Sequence, residues 1–171
     1  NYPLSYYSYL SLVELVDAEV EVNELDRGLV DYFAGQYAPA LKAFDRYIAA
    51  NPSNDGTAVY YKALTYRDLG NYDAAIEAFD VFIENYSQHP KWLEAWGDKA
   101  EIQYLYLGQN ASGAQTLLNF VQSVPNTSFA PEYLMIAARA FERDDRLEEA
   151  AKTWARVANE YPGDGQSPTA I

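Results

Sequence analysis

The side chains of this 171-residue chain that are able to do chemistry are few and widely separated. The chain contains no cysteine, which excludes a disulfide, a thiolate metal site and a cysteine nucleophile. Its only histidine, His89, lies in the turn sequence Ser-Gln-His-Pro. Without a second histidine or a cysteine, neither a metal site nor a catalytic triad is expected, and we predict a capping or exposed role for His89. The sequence therefore predicts no catalytic residue, no metal ligand and no cofactor.

Three arginines stand out because the chain has 12 basic side chains against 25 acidic ones. A guanidinium can hold a carboxylate through two parallel hydrogen bonds, so each arginine is a candidate ligand contact. Each also has an acidic neighbour in the sequence, and an ion pair with that neighbour is the expected outcome. The arginines are Arg67, Arg139 and Arg143, and the acidic neighbours are Asp68, Glu142 and Asp144.

Two further clusters have a structural interpretation as well as a functional one. The acidic cluster Asp144, Asp145, Glu148 and Glu149 lacks the glycine-centred spacing of a calcium loop, so a solvated turn is expected there. Trp92 and Trp96 are one helical turn apart. They could stack on a sugar ring, but packing in the core is the expected role of such a pair.

The formal net charge of −13 limits the classes of partner. Nucleic acids and anionic membranes are not expected as partners, because both require a cationic surface. The acidity keeps an extended surface soluble, or alternatively it complements a cationic partner. Hydrophobic residues make up 49% of the chain, which argues against disorder. No run approaches the length of about 18 apolar residues that would span a bilayer.

A repeated pattern of five residues predicts the elements that position these side chains. The pattern is a glycine, an aromatic residue, a small residue and two large apolar residues, and its copies are offset by 35, 38 and 37 residues. The clearest copy is Gly70, Tyr72, Ala75, Phe79 and Phe82. The others are Gly35, Tyr37, Ala40, Phe44 and Tyr47, then Gly108, Asn110, Gly113, Leu117 and Phe120, and finally Asp145, Leu147, Ala150, Trp154 and Val157. A period near 35 of this kind is typical of stacked helical hairpins.

Each position of the pattern has a physical reason. Gly70 is expected where the first helix of a hairpin stops, in the left-handed conformation that glycine adopts freely and that Asp145 tolerates. Asn71 is expected to cap the second helix. Ala75 marks the closest approach of the paired helices, where a larger side chain would cost about 1–3 kcal/mol. Phe79, one turn later, fills the space between hairpins, so stability comes from stacking.

The Gly-x-Tyr-x-x-Ala-x-x-x-Phe pattern, with Pro52, Pro125 and Pro162 closing three of the units, resembles the tetratricopeptide repeat. The resemblance covers about residues 21–162. It implies an all-α fold, a right-handed solenoid of antiparallel helix hairpins that forms a superhelix. It also implies a non-catalytic scaffold that binds a protein or peptide through its concave face. Some members clamp a C-terminal carboxylate with Lys and Asn, but that set does not occur at the corresponding positions here.

The pattern divides the chain into a leading helix with its linker and four repeats. The predicted segments are residues 1–22, the repeats 23–54, 55–89, 90–127 and 128–162, and a tail or further repeat at 163–171. The helices are predicted at residues 4–17, 24–34, 37–50, 57–69, 72–85, 91–107, 111–123, 132–143 and 147–160. Asn23 is expected to cap the helix that starts at residue 24.

The inner wall of such an array is formed by the first helix of each hairpin. Aromatic, apolar and arginine side chains on this wall suit peptide capture, although several of them are alternatively expected to seal one hairpin against the next. By register, the predicted groove consists of Leu29, Tyr32, Tyr60, Leu64, Arg67, Ile102, Tyr106, Met135 and Arg139, with Leu25, Leu105 and Glu142 beside them.

A second resemblance concerns the biological setting. The opening Tyr-Pro-Leu-Ser-Tyr-Tyr-Ser-Tyr-Leu and the later Leu25-Asp-Arg-Gly-Leu resemble the superhelix that precedes the catalytic domain of bacterial soluble lytic transglycosylases. This implies an alternative function, contact with peptidoglycan through a larger parent protein. The Glu-Ser-x-Phe motif of those enzymes would then lie beyond Ile171, and the chain, which opens with Asn1, is expected to be part of a longer protein. Unit ends such as Glu-Tyr-Pro also resemble repeats of envelope lipoproteins. Both resemblances favour a bacterial extracytoplasmic setting.

Overall fold

A computed structural model describes residues 6–162, and all the regular structure in that range is helical. The elements are α1 (Tyr6–Asp17), α2 (Glu24–Phe33), α3 (Tyr37–Ala50), α4 (Thr57–Asp68), α5 (Tyr72–Asn85), α6 (Trp92–Glu101), a π segment (Ile102–Tyr106), α7 (Asn110–Ser123), α8 (Ala130–Arg143) and α9 (Leu147–Glu160). The predicted all-α fold is thus confirmed. Helices α3, α5 and α9 begin and end at the predicted residues. The predicted start of the first helix at residue 4 and the predicted tail at 163–171 lie outside the described residues.

The helices fall into two compact units, residues 1–95 and residues 96–171, which divide within α6. In the first unit α2 pairs with α3 and α4 pairs with α5, and α3 packs against α4. In the second unit the π segment packs on α7, α7 on α8, and α8 on α9. Antiparallel hairpins therefore build each unit. The repeat boundaries drawn from the sequence stay predictions.

The turns inside the hairpins confirm the expected left-handed conformation. The φ angles are +76° at Gly70 and +54° at Asp145. At Gly70 the chain closes α4 with two backbone bonds, from Gly70 N to Arg67 O (2.9 Å) and from Asn71 N to Tyr66 O (2.9 Å). This arrangement satisfies carbonyls that a helix end leaves without partners. Asp145 therefore does in the last hairpin what glycine does in the others.

The two predicted asparagine caps have different outcomes. Asn23 caps α2, because its Oδ1 accepts hydrogen bonds from Leu25 N (2.9 Å) and Asp26 N (3.2 Å). Asn71 occupies the N-cap position of α5, but its side chain makes no capping hydrogen bond, so that prediction is wrong. The backbone explains the difference: ψ is 125° at Asn23 and 72° at Asn71, and a side-chain cap requires the extended geometry of the first.

The small residues of the pattern lie at close helix contacts, as expected. Ala40, Ala75 and Ala150 are buried. Gly113 is tighter still: a Cβ on this residue would lie 3.0 Å from the carbonyl oxygen of Ala100. A backbone oxygen cannot move aside as a flexible side chain can, so α7 requires glycine here for its close approach to α6.

The predicted uninterrupted helix over residues 91–107 is wrong. Helix α6 ends at Glu101, and the next five residues form the π segment, with a bond from Leu107 N to Ile102 O (3.1 Å). Gln103 is buried there, and its Oε1 accepts a hydrogen bond from Thr116 Oγ1 of α7 at 2.7 Å. The wider turn holds one more residue than an α-helical turn. The offset of 38 residues in this copy reflects a longer first helix, since α6 and the π segment together span residues 92–106.

Candidate functional site

In the first unit, one carboxylate links the last turns of two consecutive first helices. Asp68, at the end of α4, accepts a hydrogen bond from the hydroxyl of Tyr32 at the end of α2 (3.1 Å, to Oδ2). Its other oxygen accepts one from Arg67 Nε at 2.9 Å. We call Tyr32, Arg67 and Asp68 the Asp68 cluster. The expected ion pair between Arg67 and Asp68 is thereby confirmed.

The environment of Tyr32 keeps its hydroxyl protonated. Burial raises the pKa of Tyr32, and the charge of Asp68 and its hydrogen bond raise it further. A neutral phenol that donates to a carboxylate is stabilised in its protonated form. Tyr32 is therefore a fixed hydrogen-bond donor throughout the physiological pH range.

Three aromatic rings surround the ring of Tyr32. We call the surface formed by Tyr32, Phe33, Tyr37 and Tyr61 the aromatic patch. The ring centroid of Tyr32 lies 5.1 Å from that of Phe33, 6.0 Å from Tyr37 and 5.4 Å from Tyr61. The rings of Phe33 and Tyr61 are 5.6 Å apart and meet edge to face. Such pairs stabilise one another beyond simple burial. Phe33 is nevertheless 42% exposed, so the patch presents apolar area to solvent.

Three of the nine predicted groove residues are buried in packing, and the groove itself stays a prediction. Tyr60, Leu64 and Ile102 are at most 8% exposed. Tyr60 contacts the rings of Phe79 and Phe82 at 6.0 and 5.3 Å, which fills the space inside the α4–α5 hairpin. Periodicity gives the face of a helix that a residue occupies but not how deeply it lies. These three residues seal helices together, as the alternative interpretation of the groove foresaw.

The other six groove residues keep some exposure, and the proposal that they form a groove stays a prediction. Leu29, Tyr32 and Arg67 belong to the first unit and are partly exposed. Tyr106, Met135 and Arg139 belong to the second unit, where Tyr106 and Arg139 are exposed and Met135 is partly exposed.

Sequence reasoning missed Phe33 and Asp68 as site residues. Each directly follows a predicted groove residue at the end of a first helix, and that adjacency is the signal that could have found them.

The expected ion pairs of Arg139 and Arg143 are absent from the described part of the chain, residues 6–162. Within residues 6–162, neither guanidinium makes a hydrogen bond or an ion pair. One of their acidic neighbours is already occupied, because Glu142 Oε1 accepts a hydrogen bond from the indole nitrogen of Trp154 at 2.8 Å. Glu142, which was the expected partner of Arg139, is therefore hydrogen-bonded to a residue of α9.

The other acidic neighbour, Asp144, caps a helix of the preceding hairpin. Its carboxylate accepts hydrogen bonds from Ala111 N and from Asn110 Nδ2, each at 2.8 Å. Both donors lie in the first turn of α7, whose own N-cap residue, Gln109, makes no side-chain cap. Asp144 lies exposed in a turn, as expected, and it also satisfies a backbone N–H that the helix leaves free.

His89 has a structural role in the first unit. Its Nδ1 accepts a hydrogen bond from Lys91 N at 3.0 Å, and its Nε2 lies 3.2 Å from Thr57 Oγ1. Burial lowers the pKa of His89, the charge of Asp55 opposes the shift and that of Lys91 adds to it. The neutral imidazole thus joins two turns, in agreement with the predicted capping role. The same residues line a cavity of about 490 Å³ next to Tyr86.

The tryptophans also pack within the protein. The indole nitrogen of Trp92 donates to Ile83 O at 2.8 Å, and the ring of Trp96 lies 6.1 Å from that of Phe120. Among the described residues, no group of three or more His, Asp or Glu side chains is placed to hold a metal ion. Nor does any helix in that range combine the length and apolar character needed to cross a membrane.

Comparison with known families identifies the hairpins. A model of the tetratricopeptide repeat matches residues 25–90 and 102–165, which together make up most of the chain. The chain belongs to the tetratricopeptide-repeat family. Tetratricopeptide repeats generally act as scaffolds for protein interaction, and this chain is a helical-repeat scaffold for protein interaction. No curated protein sequence matches it significantly.

Solved tetratricopeptide-repeat structures share the fold. A protein of Podosopora anserina assigned as a kinesin light chain, with nearly identical TPR-like repeats, aligns with a TM-score of 0.64 at 16% identity, over 95% of this chain and 89% of that one. The MamA RS-1 ArsTM double mutant aligns with a TM-score of 0.57 at 18% identity, over 79% of this chain and 71% of that one. At these identities the likeness is one of fold.

Proposed function

We propose that this tetratricopeptide-repeat chain captures a protein or peptide segment on the face formed by its first helices. The observation that carries the proposal is the juxtaposition of the aromatic patch with the Asp68 cluster in the first unit. Phe33 offers an exposed apolar ring beside the hydrogen-bonded pair formed by the Tyr32 hydroxyl and the Asp68 carboxylate. Interfaces bind mainly through a few aromatic and arginine side chains surrounded by polar groups.

The surface is organised before any partner arrives. The Tyr32 hydroxyl is held by Asp68, and the Tyr32 ring is held by contacts with Phe33 and Tyr61. Side chains that are already ordered lose little conformational entropy on binding, which favours affinity. An apolar side chain of the partner would cover Phe33, while the polar groups around it orient the bound backbone.

A photo-crosslinking experiment tests the proposal. We would replace Phe33 with the photoreactive p-benzoylphenylalanine and, as a control, replace Val81, which is 48% exposed on the second helix α5 of the same unit. Crosslinking in an extract of the source cells, followed by mass spectrometry, would identify a partner. That partner would then be purified, and its affinity measured against Phe33→Ala and Val81→Ala.

The proposal expects a crosslink from position 33 and a loss of about 1–3 kcal/mol of binding in Phe33→Ala, as for a typical interface anchor. Val81→Ala should bind as the wild type does. A partner that crosslinks only from position 81, with affinity unaffected by Phe33→Ala, would place binding on the second helices and overturn the proposal. The resemblance to lytic transglycosylases stays a prediction, since no contact among the described residues bears on it.

A further inference from the structure

The second unit carries two arginines that form no ion pair or hydrogen bond within residues 6–162. Eight of the 12 basic residues form ion pairs in the described part of the chain, and Lys99 has an electrostatic or hydrogen-bond contact of its own. The remaining three are Lys42, Arg139 and Arg143. The last two lie one turn apart on the same face of α8, and both are exposed. The chain has a net charge of −13, so two exposed arginines that form no ion pair within the described residues are unexpected.

Within residues 6–162, the local acidic groups form no ion pair with these two arginines. Glu142 is held by Trp154, and Asp144 is held by the first turn of α7. Glu132, two turns before Arg139 on α8, forms no ion pair within residues 6–162. The guanidinium groups are therefore able to donate hydrogen bonds to the carboxylates of a partner protein.

The π segment and α8 contribute to one buried core in the second unit. Tyr104 of the π segment packs against the same buried cluster that contains Ala137 and Ala140 of α8. Burial raises the pKa of Tyr104 and the charge of Glu101 raises it further, while the charge of Arg143 opposes the rise.

The π segment exposes the two residues that follow Tyr104. Leu105 is 59% exposed and Tyr106 is 47% exposed. Met135, one turn before Arg139 on α8, is partly exposed as well. We call Met135, Leu105 and Tyr106 the apolar shelf of the second unit.

We propose that Arg139 and Arg143, with Met135, Leu105 and Tyr106, bind an internal acidic segment of a partner protein. Side chains one helical turn apart lie roughly 5–6 Å from each other, so two carboxylates at a similar spacing match the arginine pair. Each guanidinium grips a carboxylate through two parallel bonds, and an apolar side chain of the segment covers the shelf. This inference rests on the proposed function, the capture of a protein or peptide segment. It names the chemistry of a segment that would bind to the first helix α8 of the second unit.

Both arginines are required together. A single exposed ion pair changes an equilibrium by only about two- to fivefold, so one contact alone would give little selectivity. Two such contacts in one segment, reinforced by burial of the apolar shelf, give about tenfold or more. The segment's negative charges, and not a terminal carboxylate, provide the specificity.

The test uses two labelled peptides and two double variants of the full chain. One peptide carries two Glu residues four positions apart and a Leu. Its twin has Gln at both Glu positions, and both peptides are amidated at the C-terminus. The first variant is Arg139→Gln with Arg143→Gln. The matched control is Lys152→Gln with Arg156→Gln, which removes two cations at the same spacing on α9 that are already paired with Glu148 and Glu160.

Fluorescence anisotropy should show that the acidic peptide binds at least about tenfold more tightly than its twin to the wild-type chain. The α8 variant should lose this difference and the α9 variant should keep it. Equal binding of the two peptides, no binding of either, or an equal loss in both variants would overturn the inference. The crosslinking experiment at Phe33 has a separate readout in the first unit, so a failure of this inference is distinguishable from a failure of the proposed function.

Discussion

The carboxylate of Asp144 accepts a hydrogen bond from the backbone nitrogen of Ala111 at 2.8 Å, so the turn of one hairpin caps the second helix of the hairpin before it. A helix N-terminus carries unpaired N–H groups and a partial positive charge, and a carboxylate satisfies both. The connection joins residues 33 positions apart in the sequence. It therefore stabilises the stacking of hairpins as well as one helix.

Replacing Asp144 with Ala should lower the free energy of unfolding by about 1 kcal/mol, the usual effect of losing a helix cap. Urea denaturation followed by circular dichroism would measure it. Glu77→Ala is a suitable control, because Glu77 is exposed on α5 beyond the first turn of that helix, and its replacement should change stability much less. Equal effects in the two variants would show that the cap makes no special contribution.

Replacing Gly113 with Ala should destabilise the second unit. The new Cβ would lie 3.0 Å from Ala100 O and 3.1 Å from the Cβ of Tyr104, which is tighter than ordinary contacts. We expect overpacking to cost about 1–3 kcal/mol, offset in part by a gain of up to about 1 kcal/mol in helix propensity. Ser112→Ala, on the exposed side of the same helix, provides the comparison in thermal or urea unfolding. A stabilised Gly113→Ala chain would mean that α6 and α7 separate at no cost.

Replacing Tyr32 with Phe removes the hydroxyl that donates to Asp68 and keeps the ring. The loss of one hydrogen bond to a partly exposed carboxylate should lower the free energy of unfolding by about 0.5–1.5 kcal/mol. Tyr37→Phe, in the same aromatic patch, removes a hydroxyl that makes no hydrogen bond within residues 6–162 and should leave stability unchanged. If the two variants unfold alike, the bond between Tyr32 and Asp68 does not stabilise the fold.

Stability should fall as the pH is lowered from 7 towards 5.5, because of His89. Burial lowers the pKa of His89 in the folded chain below its ordinary value of 6.5, so the unfolded chain binds a proton first. The contribution of the neutral ring is complete above the unfolded pKa and is lost as the pH falls through the folded one. Urea denaturation across this range would measure the slope, and His89→Gln should flatten it. An unchanged slope in that variant would assign the effect to another group.

The repeat pattern predicted the fold and most helix ends, because its determinants are local. A left-handed residue such as Gly70 ends a helix through its own backbone, and Ala75 reports a close contact through its size. The same logic identified Asp145 as a replacement for glycine. Helix ends and turn conformations depend on the neighbouring residues in the sequence, and they could therefore be predicted from the sequence alone.

The depth of the groove residues and the pairing of the arginines were not accessible in this way. Tyr60 and Ile102 occupy the predicted face, but neighbouring helices cover them, and coverage is a tertiary property. Within residues 6–162 Arg139 lacks its expected ion pair with Glu142, whose carboxylate instead accepts a hydrogen bond from Trp154, twelve residues further along the chain. Charge proximity in the sequence cannot anticipate a competitor from another helix.

The π segment makes the third hairpin non-interchangeable with its relatives. Its additional residue is secured by the buried hydrogen bond between Thr116 and Gln103, which links the irregular turn to α7. A chimera that substituted the regular second hairpin for this one would retain stackable helices and yet lose the outward display of Leu105 and Tyr106. When hairpins of this chain are exchanged by protein engineering, residues 102–116 should therefore be transferred together as one structural unit.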